Sequence, residues 1–223
     1  MSEHVLLLLA LQRNLTAYNT AMKDGVWAQD VTTGIHRLRG QTLELIGFGT
    51  IAQLVAEKAR AFGMDVAASD PYVNAAEMAD TGVEERSFEG ILDTADAISL
   101  HAPLVDETEG MMDAAAFERM KNTAWLVNAA RGGLVVEAGL ATALRGGDIA
   151  GAALDVFADE PSSQGDASPP FRSPLRNLDG VVLTPHDAWF SWEANAEQRW
   201  KAAQDVRRVL EGETPENPVN EPR

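Results

Sequence analysis

The sequence predicts an α/β fold in which a doubly wound parallel sheet is covered by helices on both faces. Short apolar segments alternate with amphipathic segments along the chain, as they do in successive β-α-β units. Within the apolar segments, polar residues do not alternate with apolar ones, which is typical of strands buried on both faces of a parallel sheet. The 223 residues, 45% of them apolar and 23% charged, have the composition of an ordinary globular protein.

Periodicity and turn residues place the elements along the chain. The predicted helices cover residues 2–22, 51–62, 88–92, 114–120, 137–145 and 191–210. The predicted strands cover residues 43–46, 64–68, 97–100, 124–127, 150–154 and 181–183. Asp113 is a candidate N-cap, Gly63 and Gly212 are expected to end their helices, and residues 159–174 form a loop rich in Pro, Ser and Gly. One face of the second helix is expected to be buried through Ile51, Leu54, Val55, Ala59 and Phe62.

The segment from Leu43 to Tyr72 reads as strand, glycine turn, helix, strand and acidic residue. Its turn, Gly47-Phe48-Gly49-Thr50-Ile51-Ala52, matches the G-x-G-x-x-G/A pattern. In this pattern the first glycine makes a tight turn, the second leaves room for phosphates, and the third small residue keeps the helix close to its strand. The helix that follows directs its N–H groups and the positive end of its dipole at the anion. The segment therefore predicts a Rossmann-type dinucleotide-binding domain.

Asp70 follows the second strand, where a carboxylate meets the ribose of the adenosine. A carboxylate accepts hydrogen bonds from a free 2′-hydroxyl and repels a 2′-phosphate. No arginine follows it in Pro71-Tyr72-Val73. NAD is therefore predicted as the cofactor in preference to NADP.

Composition and charge limit the classes of partner. The formal net charge of −16, from 34 acidic and 18 basic residues, argues against nucleic acid or an anionic membrane. The chain has no cysteine, which excludes disulfides and thiolate chemistry, and no metal site is predicted. The apolar segment Val5–Leu11 is too short to span a bilayer and lacks the flanks of a signal peptide. We therefore expect a cytoplasmic protein.

Three polar residues follow successive late strands: Arg131 in NAARGG, Glu160 in ALDVFADEP and His186 in LTPHDAW. A histidine that titrates near neutral pH suits removal of a hydroxyl proton during hydride transfer. A carboxylate beside it stabilises the imidazolium, and an arginine binds a substrate carboxylate or carbonyl. Each residue alone is more often an ordinary loop or capping residue. Together, at the carboxyl ends of neighbouring strands, they predict acid–base catalysis.

These motifs resemble those of the D-isomer-specific 2-hydroxyacid dehydrogenases over nearly the whole chain. SEHVLLLLALQRNL is similar to the helix that enters the family's cofactor domain, and LRGQTLELIGFGTIA to its first strand and phosphate turn. ISLHAPL, LVNAARGGLV, AGAALDVFADEP and VVLTPH follow in the family's order. The resemblance implies an NAD-dependent oxidoreductase that acts on the CH–OH group of a small 2-hydroxy acid, or on the corresponding 2-keto acid.

Residue by residue, the resemblance implies that Arg131 binds substrate, that Glu160 pairs with the histidine, and that His186 donates or accepts the proton. It also implies a set of residues that contact NAD: Gly47, Phe48, Gly49, Thr50, Ile51, Asp70, Ala102, Pro103, Ala129, Ala130, Arg131, Asp155, whose carboxylate would meet the carboxamide, and His186. HDAWFS and the PENPVN tail are similar to the C-terminal binding protein group, in which an aromatic residue after the histidine walls the substrate pocket. Trp189 holds that position, although a purely packing role for Trp189 and Trp192 stays open.

The resemblance also divides the chain and leaves alternatives open. Residues 1–190 are expected to form the NAD-binding domain, and residues 191–223 a helix and tail that in the family return to an N-terminal substrate lobe. The sequence begins where the family's cofactor domain begins, and without the lobe the long helix is expected to expose an apolar stripe. Two other readings therefore remain, namely an inactive NAD(H)-binding scaffold or sensor and a degenerate fragment. The apolar N-terminal helix, through which family members pair, predicts a homodimer.

Two residues depart from the family's usual pattern without touching the proposed chemistry. Glu44 lies in the first strand, where the family usually has glycine, and a buried carboxylate is costly there unless it is paired. Val136 stands where an acidic N-cap is usual.

Overall fold

The computed structural model describes residues 2–27, 35–161, 171–216 and 218. Its helices are α1 (Ser2–Gln12), α2 (Leu15–Lys23), α3 (Thr50–Ala61), α4 (Ala75–Asp80), α5 (Phe88–Thr94), α6 (Ala114–Arg119), α7 (Glu137–Gly146) and α8 (Trp192–Leu210), with a 3-10 turn at Gly132–Leu134. Its strands are β1 (Thr42–Ile46), β2 (Asp65–Ser69), β3 (Glu84–Glu85), β4 (Ala97–Leu100), β5 (Trp125–Asn128), β6 (Gly151–Leu154) and β7 (Val181–Leu183). The predicted 159–174 loop lies partly outside the described residues.

The described strands form one parallel sheet in the order β3-β2-β1-β4-β5-β6-β7. The chain first moves outward from β1 to β3 and then resumes on the other side of β1 at β4. This reversal is the topological switch point of a doubly wound sheet, where such folds bind their ligands. The predicted fold class is confirmed, and β4 and β7 have the predicted bounds.

Apolar cores lie on both faces of the sheet. One contains Ile98, Phe117 and Leu126, and the other contains Leu45 and Phe48. All five side chains are almost completely removed from solvent. Burial on both faces explains why the strands read as unbroken apolar runs.

The predicted helix over residues 2–22 is wrong in one respect, because the structure divides it into α1 and α2. Asn14 between them adopts a left-handed backbone conformation, with φ of 48°, which asparagine tolerates better than most residues. Leu7, Leu8 and Leu11 of α1 are buried and belong to the same core cluster as the β1 residues. Most of the apolar surface of α1 is therefore buried within this chain.

The buried face of α3 also differs from the prediction. It consists of Ala52, Val55, Ala56 and Ala59. Ile51 is 49% exposed and Phe62 is 45% exposed, so both are wrong as core residues. Small residues dominate this face because α3 lies close against the sheet. Beyond the helix, Gly63 has φ of 81° and its N–H donates to the Arg60 carbonyl, which ends the helix as predicted.

Glu44 of β1 is buried and paired. Its side chain is fully removed from solvent, and Oε1 accepts hydrogen bonds from Arg86 Nη1 at 2.5 Å and from the Thr94 hydroxyl at 3.0 Å. Burial raises the pKa of this carboxyl, and the Arg86 charge works in the opposite direction. The partner required by the sequence argument thus comes from the segment between β3 and α5.

Residues Trp189–Arg223 form a second compact unit, whereas Met1–Ala188 form the first. The second unit contains α8, which Ser191 caps by accepting a hydrogen bond from the Ala194 N–H. No residue of α8 is buried; Trp192 is 79% exposed and Leu210 82%, so the predicted apolar stripe is exposed. Among the described residues, no helix combines the length and apolarity needed to cross a membrane.

We expect Arg86→Met to lower the free energy of unfolding by about 3 kcal/mol or more, because it leaves the buried Glu44 carboxylate without its cation. Urea denaturation at pH 7 measures the effect. Glu84→Gln is the matched control, since Glu84 also binds Arg86 but is 67% exposed. The double variant Glu44→Met/Arg86→Met is expected to recover most of the loss. A double variant no more stable than Arg86→Met would contradict this interpretation.

Candidate functional site

The predicted phosphate turn packs against the end of β4. Gly47 has φ of 91°, and a Cβ atom there would lie 2.8 Å from both the Ala102 nitrogen and the His101 carbonyl carbon. Only glycine satisfies both conditions. The turn after β1 is thereby fixed beside Ala102 and Pro103, two residues predicted to contact NAD.

The start of α3 fits a diphosphate. Gly49 is its N-cap residue, and no side chain in the described structure caps this end. A Cβ atom on Gly49 would meet nothing within 4 Å, so space is open where the pattern requires it. Thr50 and Ile51 are exposed in the first turn. The unpaired N–H groups of a twelve-residue helix therefore point into open space, which suits an anion.

Asp70 is tied to the same turn. Its Oδ2 accepts a hydrogen bond from the Phe48 N–H at 2.7 Å, and its Oδ1 accepts one from the Tyr72 N–H at 2.8 Å. Each carboxylate oxygen can accept a second hydrogen bond. The side chain can therefore shape the turn and still receive a ribose hydroxyl.

Arg131 stands on a turn that Asn128, at the end of β5, holds in place. The fully buried amide of Asn128 accepts a hydrogen bond from the Ala130 N–H at 3.1 Å and donates one to the Arg131 carbonyl at 2.9 Å. Ala129 and Ala130 are half-buried, and the Arg131 side chain is exposed with Nη1 2.6 Å from the Ala130 carbonyl. The sequence analysis did not identify the role of Asn128, although an asparagine at a strand end is a signal for such a turn.

Glu160 and His186 are in contact. Glu160 Oε2 lies 2.7 Å from His186 Nδ1, and Glu160 Oε1 accepts a hydrogen bond from the Phe157 N–H at 3.0 Å. Gly132 packs directly against the Phe157 backbone, where any Cβ atom would collide. This contact brings the turn carrying Arg131 beside the segment that carries Glu160.

Asp155 anchors the segment that presents His186. It is 1% exposed, and its carboxylate accepts hydrogen bonds from the Thr184 hydroxyl at 2.5 Å, the Asp187 N–H at 3.0 Å and the Ala188 N–H at 2.9 Å. Its carbonyl accepts from the His186 N–H at 2.7 Å. His186 has φ of 54°, an uncommon value that these bonds hold in place. The predicted contact of Asp155 with the NAD carboxamide stays a prediction.

A pair of histidines, which the sequence analysis missed, lies at the same edge of the sheet. The rings of His4 in α1 and His101 after β4 stack with centroids 4.7 Å apart, and His101 Nε2 lies 3.0 Å from the Ser99 hydroxyl. Burial lowers the pKa of His4 to about 4 and that of His101 to about 3. Both rings are therefore neutral at pH 7. Nothing in the sequence brings these two residues together before the fold is known.

Trp189 belongs to the second unit, where its ring meets Phe190 edge-on with centroids 5.5 Å apart. Its predicted place in a substrate pocket stays a prediction. Within the described residues, no group of three or more His, Cys, Asp or Glu side chains is arranged to hold a metal ion.

A glycine turn that opens a helix at the switch point, with an aspartate after the second strand, defines a dinucleotide-binding domain of the Rossmann class. The sequence model described as "D-isomer specific 2-hydroxyacid dehydrogenase, NAD binding domain" matches residues 5–188. The chain belongs to this family, and its cofactor is NAD.

Curated relatives and solved structures agree with this assignment. The chain is 41% identical over 220 residues to D-3-phosphoglycerate dehydrogenase of Mycobacterium tuberculosis and 40% identical to that of Mycobacterium leprae. These matches cover 98% of this chain but 40% of the relatives, so the chain spans less than half their length.

Among solved structures, D-lactate dehydrogenase with NAD+ from Lactobacillus jensenii matches with a TM-score of 0.86 at 30% identity, over 98% of this chain and 67% of that one. D-lactate dehydrogenase from Aquifex aeolicus, complexed with NAD and lactic acid, matches with a TM-score of 0.84 at 29% identity, over 95% and 66%. The finer resemblance to C-terminal binding proteins stays a prediction, because these relatives carry other names.

The stacked histidines make stability depend on pH. The unfolded chain binds a proton at each imidazole near pH 6.5, whereas the folded protein binds them only near pH 4 and pH 3. Between these limits the unfolded state holds more protons, so stability falls as the pH falls. Each histidine is expected to contribute a slope of about 1.4 kcal/mol per pH unit within its own window.

Urea denaturation between about pH 7 and pH 4.5 measures the slope. His4→Phe keeps a ring in the stack and is expected to reduce proton uptake on unfolding by about one near pH 5; His101→Phe is a second test of the same kind. His36→Phe, at an exposed histidine, is the control and is expected to leave the slope unchanged. Equal slopes for wild type, His4→Phe and His101→Phe would contradict the assignment.

Proposed function

We propose that this chain is the cofactor-binding part of an NAD-dependent D-2-hydroxyacid dehydrogenase, which interconverts a small 2-hydroxy acid and its 2-keto acid. The observation that carries the proposal is the 2.7 Å contact between His186 Nδ1 and Glu160. It lies at the carboxyl edge of the sheet, where folds of this class bind their ligands. The names of the relatives, with 3-phosphoglycerate and lactate among the substrates, support the substrate class.

His186 is the proposed acid–base residue. Because Nδ1 is held by Glu160, the proton exchanged with the substrate hydroxyl falls to Nε2, the other ring nitrogen. When the hydroxy acid is oxidised, this nitrogen takes the hydroxyl proton and the ring becomes positively charged. The Glu160 carboxylate beside it stabilises that charge and fixes the ring. Bound NAD supplies the hydride acceptor.

Arg131 is the proposed substrate-binding residue. Its Nη1 is directed at the Ala130 carbonyl, which orients the planar guanidinium while its other N–H groups can bind an acid. A guanidinium matches the two oxygens of a carboxylate and forms a pair of parallel hydrogen bonds. In this role Arg131 places the substrate carbon, and His186 acts on the attached oxygen.

The exposure of the site to solvent has different consequences for NAD binding and for substrate turnover. The His186 side chain is 44% exposed, that of Glu160 is 33% exposed, and Arg131 is also exposed. Hydride transfer benefits from excluding water and fixing the substrate. We therefore propose that this chain binds NAD and turns over substrate slowly, and that turnover is faster where further protein covers this edge. The same openness favours the second candidate, an NAD(H)-binding scaffold or sensor that does not turn over substrate.

A homodimer is also proposed, on the exposed apolar residues Leu6, Leu15 and Met22 of α1 and α2, which are 60%, 55% and 51% exposed. Light scattering measures the mass, and a monomer would contradict it. A mass that changes with NADH would favour the sensor. We also retain the expectation of a cytoplasmic location, which cell fractionation tests.

The catalytic roles are tested by NADH oxidation with pyruvate, glyoxylate and 3-phosphohydroxypyruvate. His186→Asn is expected to reduce turnover by about 10²–10⁴, because the acid–base group is lost. Arg131→Gln is expected chiefly to raise KM, and Glu160→Gln to shift the pH profile. Glu118→Gln, at an exposed glutamate of α6, is the control. No turnover of any keto acid by protein that binds NADH would reject catalysis by this chain and leave the scaffold reading.

Cofactor preference is tested at Asp70. The double variant Ser69→Arg/Asp70→Asn removes the charge that repels a 2′-phosphate and adds one that attracts it, while the asparagine oxygen can still accept the Phe48 N–H. We expect the ratio of NADP to NAD affinity, measured by titration calorimetry, to rise by about tenfold or more. Ser69→Arg alone is the control for added positive charge. An unchanged ratio in the double variant would refute the role of Asp70.

A further inference from the structure

A cavity opens at the edge of the sheet opposite the proposed active site. It has a volume of about 440 Å³ and lies among the end of α1, residues 36–41, and the residues that begin β4 and β5. Gln12, Arg37, Arg39, Asp96 and Trp125 are among the residues that line it. The size is that of an ordinary small-molecule site. Strands of four or five residues place it roughly 15 Å from the carboxyl edge, at about 3.3 Å per residue.

The charge of this cavity is opposite in sign to that of the protein. Arg37 and Arg39 are exposed, and neither has a hydrogen bond or ion pair in the described part of the chain. The carboxylate of Asp96 also lines the cavity, but its Oδ1 is 2.8 Å from Lys121 Nζ and its Oδ2 accepts from the Thr42 N–H at 2.9 Å. In a chain of net charge −16, two uncompensated guanidinium groups at one cavity favour a bound anion.

One of the residues that line the cavity carries a hydrogen-bond acceptor without a donor. Gln12 is 3% exposed; its Nε2 donates to Gln41 Oε1 at 2.8 Å, while its own Oε1 is buried and has no partner. A buried acceptor without a hydrogen bond is costly, so a ligand that supplies a donor gains affinity. A hydroxyl group is such a donor.

We propose that this cavity, lined by Arg37, Arg39 and Gln12, binds a small carboxylate or phosphate that also carries a hydroxyl group. The two guanidinium groups hold the acid, and the Gln12 amide oxygen accepts the hydroxyl proton in a hydrogen bond. Trp125, which is 9% exposed, forms an apolar wall. The site requires neither NAD nor the His186–Glu160 pair, so it stands independently of the proposed function.

Titration calorimetry of the full chain at low ionic strength tests the proposal with three probes. D-glycerate carries a carboxylate and hydroxyls, glycerol 3-phosphate carries a phosphate and hydroxyls, and propionate carries a carboxylate alone. We expect one or both hydroxylated probes to bind about tenfold more tightly than propionate. The stronger of the two identifies the acid group. No binding of any probe to protein that binds NADH overturns the proposal, as does binding of both hydroxylated probes no tighter than that of propionate.

Variants locate the site. Arg37→Gln/Arg39→Gln is expected to weaken binding of the hydroxylated probes by about tenfold, whereas Arg172→Gln/Arg176→Gln, with the same change of charge, leaves it unchanged. Gln12→Met is expected to remove the preference over propionate while keeping propionate binding; thermal melting and NADH affinity establish that it is folded. Because D-glycerate is itself a 2-hydroxy acid, Arg131→Gln separates the two edges of the sheet. Binding that persists in Arg131→Gln and is weakened in Arg37→Gln/Arg39→Gln lies at the cavity. Loss of binding in Arg131→Gln but not in Arg37→Gln/Arg39→Gln places the anion at the carboxyl edge and overturns the proposal.

Discussion

The contact on which the site depends is the packing of one turn backbone against the next at the carboxyl edge of the sheet. Gly47 occupies the space beside His101 and Ala102, and Gly132 lies against Phe157. Neither contact leaves room for a side chain. Because all strands are parallel, every turn after a strand meets this edge, and the two glycines let neighbouring turns approach until their backbones touch.

Hydrogen bonds then hold in place the turns that the glycines bring close together. Asp70 ties the end of β2 to the phosphate turn, Asn128 shapes the turn that carries Arg131, and Asp155 holds the segment that carries His186. In each case a polar side chain at a strand end binds backbone groups that have no partner in the sheet. The groups proposed to bind NAD and substrate are therefore positioned by polar residues at the strand ends, and two of these, Asp70 and Asp155, are themselves predicted to contact NAD.

Sequence reasoning predicted most of the features that are local or periodic. The strands of the core are continuous apolar runs, so their approximate bounds could be predicted. The glycine turn could be recognised from the spacing of its own residues. The break at Asn14 was missed because the apolar pattern continues across it. The strand β3 was missed because Glu84 and Glu85 are both exposed at a sheet edge and have no apolar pattern to detect.

Pairings between residues distant in the chain could not be predicted from the sequence, for a different reason. Glu44 and Arg86 are 42 residues apart, and His4 and His101 come from opposite ends of the first half of the chain. Burial alone predicted that Glu44 needs a cation, but it could not say which one. The stacking of His4 on His101 could not be predicted from the sequence, because neither residue belongs to a charged or periodic pattern. The roles assigned to Arg131, Glu160 and His186 rested on their residue types and on resemblance, and the geometry adds the contact between the last two.

The carboxyl and amino edges of the sheet attract an anion through different groups, and this difference follows from the direction of the strands. At the carboxyl edge the start of α3 offers unpaired N–H groups, so the backbone attracts an anion even though Asp70 and Asp155 lie at the same edge. At the amino edge no helix of the described structure begins beside the cavity, and any attraction for an anion has to come from side chains. Arg37 and Arg39 supply it there. A parallel sheet can thus hold one anion through peptide dipoles and another through guanidinium groups. The length of the strands keeps the two anions apart.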